Sequence, residues 1–235
     1  MRPFVNAVWS DIVLFTYAVP ISALQPYLGR DLTLDLHRGQ AYVSIAGFRF
    51  QHTRVLGWSA PYPSNLCNFP QFNLRFYVCH GKNRGVVFLS EFVPSPAVAQ
   101  MVRFCYNEPY HAAPLSCRAT QVGDLRRVRY DLAWRGKRYA VAVTARAPAC
   151  APEPGSLSEF FTEQDYGYGR SRTGQLTRFR VVRPAWREYE VESHFLRLDF
   201  GGLFGPQWEF LQDRVPDSVV LFEGSAIEVY PNETL

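Results

Sequence analysis

The chain has 235 residues, of which 47% are hydrophobic, 15% aromatic and 20% charged. This composition excludes the disordered and low-complexity classes and predicts one domain over residues 1–235 with a substantial core. The formal net charge of +4 comes from scattered arginines, because Lys82 and Lys137 are the only lysines. Without a basic block, this excess gives no support to nucleic-acid binding.

Neither the cysteines nor the N-terminal segment indicates export or membrane insertion. The five cysteines show no zinc-site spacing and no small disulfide framework, so we expect reduced thiols. The apolar run at residues 12–24 contains Pro20 and is too short to span a bilayer. We therefore predict a cytoplasmic protein without a membrane partner.

The first part of the chain is predicted to contain strands, a short helix and a long loop. Residues 12–19 are rich in β-branched and aromatic side chains, which predicts a strand, and a short helix is expected at residues 23–28. A hairpin follows, and its second strand covers residues 41–50. Residues 53–70 are rich in Pro, Ser and Gly and lack periodicity, which predicts a long loop of a kind that is often functional.

A polar stripe runs along one strand of the next predicted hairpin, residues 72–92. Side chains alternate between the two faces of a strand, so Asn73, Arg75 and Tyr77 share one face while aromatic and aliphatic side chains occupy the other. The apolar face predicts core, and the polar face is a candidate cavity lining. Arg75 is then either a clamp for a carboxylate or a solvated strand arginine.

The register of this hairpin decides which residue faces the arginine. One register pairs Cys79 with Val86. It places Ser90 opposite Arg75, whereas a slip of one residue brings Glu91 to the face of Arg75 instead. The loop sequence leaves both registers open. Glu91 is accordingly either a structural partner of Arg75 or a buried acid or base.

The rest of the chain adds more strands and a few short helices. Helices are predicted at residues 97–104 and 157–162, and the first is followed by a chain break at Asn107-Glu108-Pro109. Strands are predicted within residues 112–147, and residues 219–221 and 227–230 resemble a final hairpin. This order, without alternating βαβ units, predicts a mainly β (α+β) fold built on an antiparallel barrel or sandwich.

Six segments spread along nearly the whole chain carry a family resemblance. They are VPISALQPYLGRDLTLDLHRGQAYVSIAGFRF, FNLRFYV, VVFLSEF, CYNEPYHAA, GSLSEFFTEQDYGYGRSRTGQL and SAIEVYP. In this order and spacing they resemble the YqjF-like family of uncharacterised bacterial proteins, within the acetoacetate decarboxylase-like superfamily. The resemblance implies a large antiparallel sheet curled into a cone or barrel, with a few short helices and a small polar cavity inside.

The chain departs from the decarboxylases of that superfamily at one segment. In the decarboxylase branch a lysine after a proline forms a Schiff base with a β-keto acid, whereas Tyr110 and His111 follow Pro109 here. Without an amine there is no iminium group to accept the electrons of a developing carbanion. The resemblance therefore implies a site that works without the Schiff-base lysine.

Nine residues are candidates for this site. His111 has the intrinsic pKa of a general acid or base, Tyr110 can donate a hydrogen bond to a carbonyl oxygen, and Glu91 can move a proton. The candidate catalytic residues are His111, Tyr110 and Glu91, and the candidate substrate-binding residues are Arg75, Asn73, Tyr77, Ser90, Tyr106 and Glu108. The histidines and acids show no metal-ligand spacing, so neither a metal nor a cofactor is predicted.

These residues fit two functions. The first is a small-molecule enzyme of acetoacetate decarboxylase-like fold that acts on a small oxo acid or a related carbonyl compound. The second is a non-catalytic module that binds a small anionic or aromatic ligand in the same cavity. A third interpretation, an assembly protein that pairs strand edges, rests on the β-rich pattern alone, and a homo-oligomer is compatible with all three.

Overall fold

Strands make up most of the computed structural model, which describes residues 2–57 and 64–235. Within those residues the strands are β1 (Val5–Val19), β2 (Thr33–Leu34), β3 (Ala41–Val55), β4 (Phe69–His80), β5 (Asn83–Val93), β6 (Tyr110–Ala112), β7 (Leu115–Val122), β8 (Leu125–Trp134), β9 (Lys137–Cys150), β10 (Tyr166–Arg170), β11 (Leu176–Val182), β12 (Glu188–Arg197), β13 (Ser218–Val229) and β14 (Glu233–Thr234). The helices are α1 (Ile21–Leu24), α2 (Ser64–Cys67), α3 (Pro96–Tyr106), α4 (Leu157–Thr162) and α5 (Phe200–Phe204), with 3₁₀ turns at Gln25–Tyr27 and Pro206–Leu211. The predicted mainly β fold with a few short helices is confirmed.

Seven of the described strands close into a ring. Neighbouring strands pair in the order β11, β10, β5, β4, β3, β1 and β13, and β13 pairs in turn with β11 through Val229 and Val181. From β13 the sheet continues outward through β12, β9, β8 and β7. Strand β5 pairs in parallel with β10 and with β6, so the curled sheet is mixed rather than purely antiparallel.

The main hydrophobic core lies between the outward extension and one face of β1, β3 and β4. Phe76 of β4 and Tyr130 of β8 are among its fully buried side chains. A Cβ atom on Gly47 would lie 2.9 Å from Cδ2 of Tyr130, so the glycine allows the extension to pack closely. The predicted apolar face of β4 is therefore core, and the opposite face of the same strand points into the ring.

A β-bulge shifts the pairing between β4 and β5. Nearer the turn, Arg75 pairs with Phe88, whereas farther along Asn73 pairs with Glu91. Leu89 is the extra residue that has no partner of its own in this ladder. One inserted residue reverses the faces of the residues that follow it, so the bulge brings Glu91 onto the polar face of the hairpin.

The same bulge turns Ser90 away from the polar face. Ser90 lies opposite Leu74, whose side chain belongs to the main core. Next to the turn, Cys79 pairs with Arg84 rather than with Val86. The pairings of both predicted registers are wrong, because each assumed a ladder without an inserted residue, but the alternative that brings Glu91 to the face of Arg75 is confirmed.

Two further predictions from the chain pattern need correction. The final hairpin is instead the single strand β13, in which Gly224 has a φ of 91° and a Cβ atom there would lie 2.0 Å from the carbonyl oxygen of Trp9. The predicted helix at residues 23–28 begins earlier, as α1, and continues as a 3₁₀ turn. Residues 58–63 of the predicted long loop lie outside the described residues.

None of the described helices is long and apolar enough to cross a membrane. The assignment of residues 1–235 to one domain stays a prediction.

Candidate functional site

A cavity of about 150 Å³ lies inside the ring of strands. Its wall comes mainly from β1, β3, β4, β5, β10 and β11, with further side chains from α3 and α4. Most of the wall is apolar, and its large rings include Trp9, Phe48, Phe50, Phe69, Phe88 and Trp186. An apolar cavity of about 150 Å³ is large enough for a molecule of the size of benzene.

Polar side chains from β4, β5, β6 and the segment just before β6 form an acid cluster in this wall. The acid cluster consists of Gln71, Glu91, Glu108 and Tyr110. Gln71 Nε2 donates a hydrogen bond to Glu91 Oε2 at 2.5 Å, and the Tyr110 hydroxyl donates to Gln71 Oε1 at 3.0 Å. Glu91 is 1% exposed, and its Oε1 has no hydrogen-bond partner among the described residues. The cluster therefore holds Glu91 in place with one oxygen available to a ligand.

Burial raises the pKa of both carboxyl groups of the acid cluster. It raises the pKa of Glu108 to about 8. It also raises the pKa of Glu91 well above its usual range, and there the charge of Glu108 adds to burial while Arg75 opposes both. A protonated carboxyl group donates a hydrogen bond to a carbonyl oxygen, and once ionised it is a strong base.

Arg75 reaches the cavity from β4. The residue is only 9% exposed, yet its Nε has no hydrogen-bond partner among the described residues. Next to it, the hydroxyl of Tyr77 shares a 2.6 Å hydrogen bond with Ser44 Oγ, and its ring packs against Phe160 and Phe161. Burial raises the pKa of Tyr77, whereas the charge of Arg75 lowers it.

Two polar side chains of the wall, those of Arg183 and Gln164, were not predicted from the sequence. Arg183 follows β11, and its Nε lacks a partner within the described part of the chain. Gln164 follows α4, and its Oε1 also lacks a hydrogen-bond partner within the described part of the chain. No local pattern marks either residue, because each enters the cavity only through the closure of the ring. Gln71, by contrast, continues the alternation of Asn73 and Arg75 and was recognisable from the strand period.

His111 lies outside the cavity. Parallel pairing of β6 with β5 places Tyr110 beside Glu91 and places His111 beside Phe92, on the opposite face of the sheet. The imidazole contacts Phe92 and Trp134, with ring centroids 5.3 and 5.2 Å apart. Burial, followed by the charges of nearby arginines, lowers its pKa. The structure thus brings Tyr110 to the site and leaves His111 out.

The remaining candidates divide in the same way. Tyr106 and Glu108 line the cavity, and the Tyr106 hydroxyl lies 3.5 Å from the carbonyl oxygen of Tyr230. Asn73 is fully buried on the polar face without lining the cavity, and its amide atoms have no hydrogen-bond partner among the described residues. Ser90 points into the core and is not part of the site.

Neither lysine lines the cavity. Lys82 is exposed in the turn between β4 and β5. The side chain of Lys137 is 62% exposed, and its Nζ lies 2.6 Å from Asp199 Oδ2. Among the described residues, no three His, Cys, Asp or Glu side chains are grouped as metal ligands.

A known family matches nearly the whole chain. A family model described as an uncharacterized conserved protein, DUF2071, matches residues 6–226.

The chain belongs to the DUF2071 family.

A curated relative is the uncharacterized protein YqjF of Bacillus subtilis (strain 168), which is 26% identical over 159 residues. That match covers 66% of this chain and 63% of the relative's length.

Solved structures share the fold over the full length of the chain. An acetoacetate decarboxylase-like enzyme from Sphingomonas wittichii RW1 matches with a TM-score of 0.70 at 12% identity, covering 100% of this chain and 94% of that one. The enduracididine biosynthesis enzyme MppR, complexed with pyruvate, matches with a TM-score of 0.68 at 14% identity, covering 100% of this chain and 91% of that one. The family member described here therefore has an acetoacetate decarboxylase-like fold.

Proposed function

We propose that this protein binds a small oxo acid, or a related carbonyl compound, in the cavity of the ring and moves a proton on it without a Schiff-base amine. The observation that carries the proposal is a buried Arg75 with an unpartnered Nε in the same small cavity as Glu91. A buried guanidinium without a carboxylate partner is costly, and a bound anion removes that cost. Pyruvate in the MppR complex is in keeping with a small oxo acid, as an analogy of fold.

Each polar group then has a role. Arg75 holds the carboxylate of the ligand, and Tyr110 turns the O–H that it otherwise donates to Gln71 toward the carbonyl oxygen of the ligand. Glu91, in its ionised form, takes a proton from the carbon next to the carbonyl and returns it to the same carbon. The exposed positions of Lys82 and Lys137 support a route that forms no imine.

A second candidate is a binding module that takes the same ligands and catalyses nothing. It is favoured by the mostly apolar wall, which offers contact area to an aromatic or aliphatic body but no further reactive groups. In this function Arg75 is still required, whereas Glu91 only shapes the cavity.

Hydrogen exchange separates the two functions. In D₂O, we expect the methyl protons of pyruvate to exchange with the solvent faster when the protein is present than in buffer alone. Proton NMR follows this exchange. Glu91→Gln should abolish the gain while pyruvate binding, measured by saturation transfer, persists. Binding of oxo acids without any exchange would instead support the binding module.

Two controls make the proposal refutable. If neither pyruvate nor longer oxo acids bind, the assignment of the cavity to oxo acids is wrong. If borohydride traps a covalent adduct on a lysine, as read from the intact mass, the route without a Schiff base is wrong. The cytoplasmic location and homo-oligomerisation stay predictions from the sequence.

A further inference from the structure

Arg183 is a second guanidinium in the wall of the cavity, and its contacts hold it in place. Its Nη2 donates a hydrogen bond to the carbonyl oxygen of Thr162 at 2.6 Å. Its guanidinium carbon lies 3.9 Å from the ring centroid of Trp186, the geometry of a cation–π contact. These contacts leave Nε without a hydrogen-bond partner in the part of the chain that the structure describes. The side chain is thus oriented before any ligand arrives.

The two guanidiniums bring positive charge to the wall of the cavity. Within the described residues, no carboxylate forms an ion pair with Arg75 or Arg183. Burial, opposed by Asp165 and assisted by Arg75, lowers the pKa of Arg183 to about 10, so it remains a cation at pH 7. Burial raises the pKa of Glu108 to about 8, so this carboxyl group is mostly protonated at pH 7, and burial also favours the protonated form of Glu91.

The rest of the wall indicates what the remainder of the ligand resembles. Phe50, Phe69, Val98 and Met101 line the same cavity and present only apolar atoms. A ligand that consisted of little more than an acid group and a carbonyl would leave this surface without contacts. Each methylene group buried against such a surface strengthens binding roughly threefold to fourfold.

We propose that Arg183 is a second acid-binding residue, which holds the carboxylate of the ligand together with Arg75, and that the ligand is a small oxo acid with a branched aliphatic or aromatic body. The inference rests on the proposed function, because it takes for granted that the cavity binds oxo acids. It adds Arg183 to the site and specifies the class of oxo acid that binds there.

The test compares two probes of the same shape, 4-methyl-2-oxopentanoate and 4-methyl-2-pentanone, in which a methyl group replaces the carboxylate. We expect Arg183→Gln to weaken binding of the acid about tenfold to a hundredfold, the value of a hydrogen bond to a charged group, and to change binding of the ketone less than twofold. Arg183→Lys keeps the charge without the planar fork and should fall between the wild type and Arg183→Gln. The matched control is Arg180→Gln, because Arg180 is an exposed arginine of β11, the strand that Arg183 follows.

The possible results distinguish the inference about Arg183 from the proposed function on which it rests. Equal loss of acid and ketone binding in Arg183→Gln would mean a structural role and overturn the inference. Unchanged binding of the acid to Arg183→Gln would also overturn the inference. If Arg75→Gln then loses binding of the acid, the proposed function still stands. Pyruvate binding as tight as that of 4-methyl-2-oxopentanoate would overturn the proposed ligand class. Failure of the wild type to bind any of the oxo acids would reject both proposals.

Discussion

Replacing Glu108 by Gln should stabilise the protein at pH 8 and leave its stability at pH 5 nearly unchanged. Glu108 is 7% exposed and lines the cavity, and burial raises its pKa from 4.5 to about 8. Between these two values the folded protein keeps the proton that the unfolded chain has released. The free energy of unfolding therefore falls as pH rises through this interval.

The magnitude follows from the size of the interval. The loss is about 1.4 kcal/mol for each pH unit over which only the folded state is protonated. From pH 4.5 to about 8 this amounts to at most about 5 kcal/mol, and it is complete above pH 8. Gln has nearly the same shape and releases no proton, so the variant escapes this loss.

Urea unfolding at pH 5, 6, 7 and 8 measures the effect directly. The difference in the free energy of unfolding between Glu108→Gln and the wild type should start near zero and grow steadily with pH. Glu153→Gln, at an exposed carboxyl group, is the control for the effect of the substitution itself. Parallel curves for Glu108→Gln and the wild type would refute the argument, because they would mean that Glu108 titrates alike in the folded and unfolded states.

Three other predictions concern the scaffold and the site. Gly85→Ala should lower the urea midpoint and reduce the free energy of unfolding by about 1–3 kcal/mol, because the new Cβ would lie 2.2 Å from the carbonyl oxygen of Tyr166. An unchanged midpoint would contradict the pairing of β5 with β10. Asp11→Asn should reduce the free energy of unfolding by about 2 kcal/mol, since Asp11 is 2% exposed and forms ion pairs with two arginines. A reduction below about 0.5 kcal/mol in the same assay would contradict this prediction. His111→Gln should keep pyruvate exchange within twofold of the wild type by NMR, because His111 faces away from the cavity, and a loss comparable to that of Glu91→Gln would return His111 to the site.

Local periodicity was sufficient to identify the strand at the centre of the site. Alternation along β4 correctly separated the core residues from the face that carries Arg75 and Tyr77. Local capping chemistry likewise predicted α4, where Ser156 Oγ accepts a hydrogen bond from the amide of Glu159. The ordered segments along the chain also indicated the family, and with it the curled sheet.

The composition of the cavity depended on contacts between distant parts of the chain. The bulge at Leu89 brought Glu91 to the polar face, and the parallel pairing of β6 selected Tyr110 over its neighbour His111. Arg183 entered the site because β11 closes the ring between β10 and β13. The sequence by itself determines on which face of its own strand a side chain lies, since the alternation is a local property of the backbone. Register, bulges and ring closure are decided only by the packing of the whole sheet, and these determine which faces meet around the cavity.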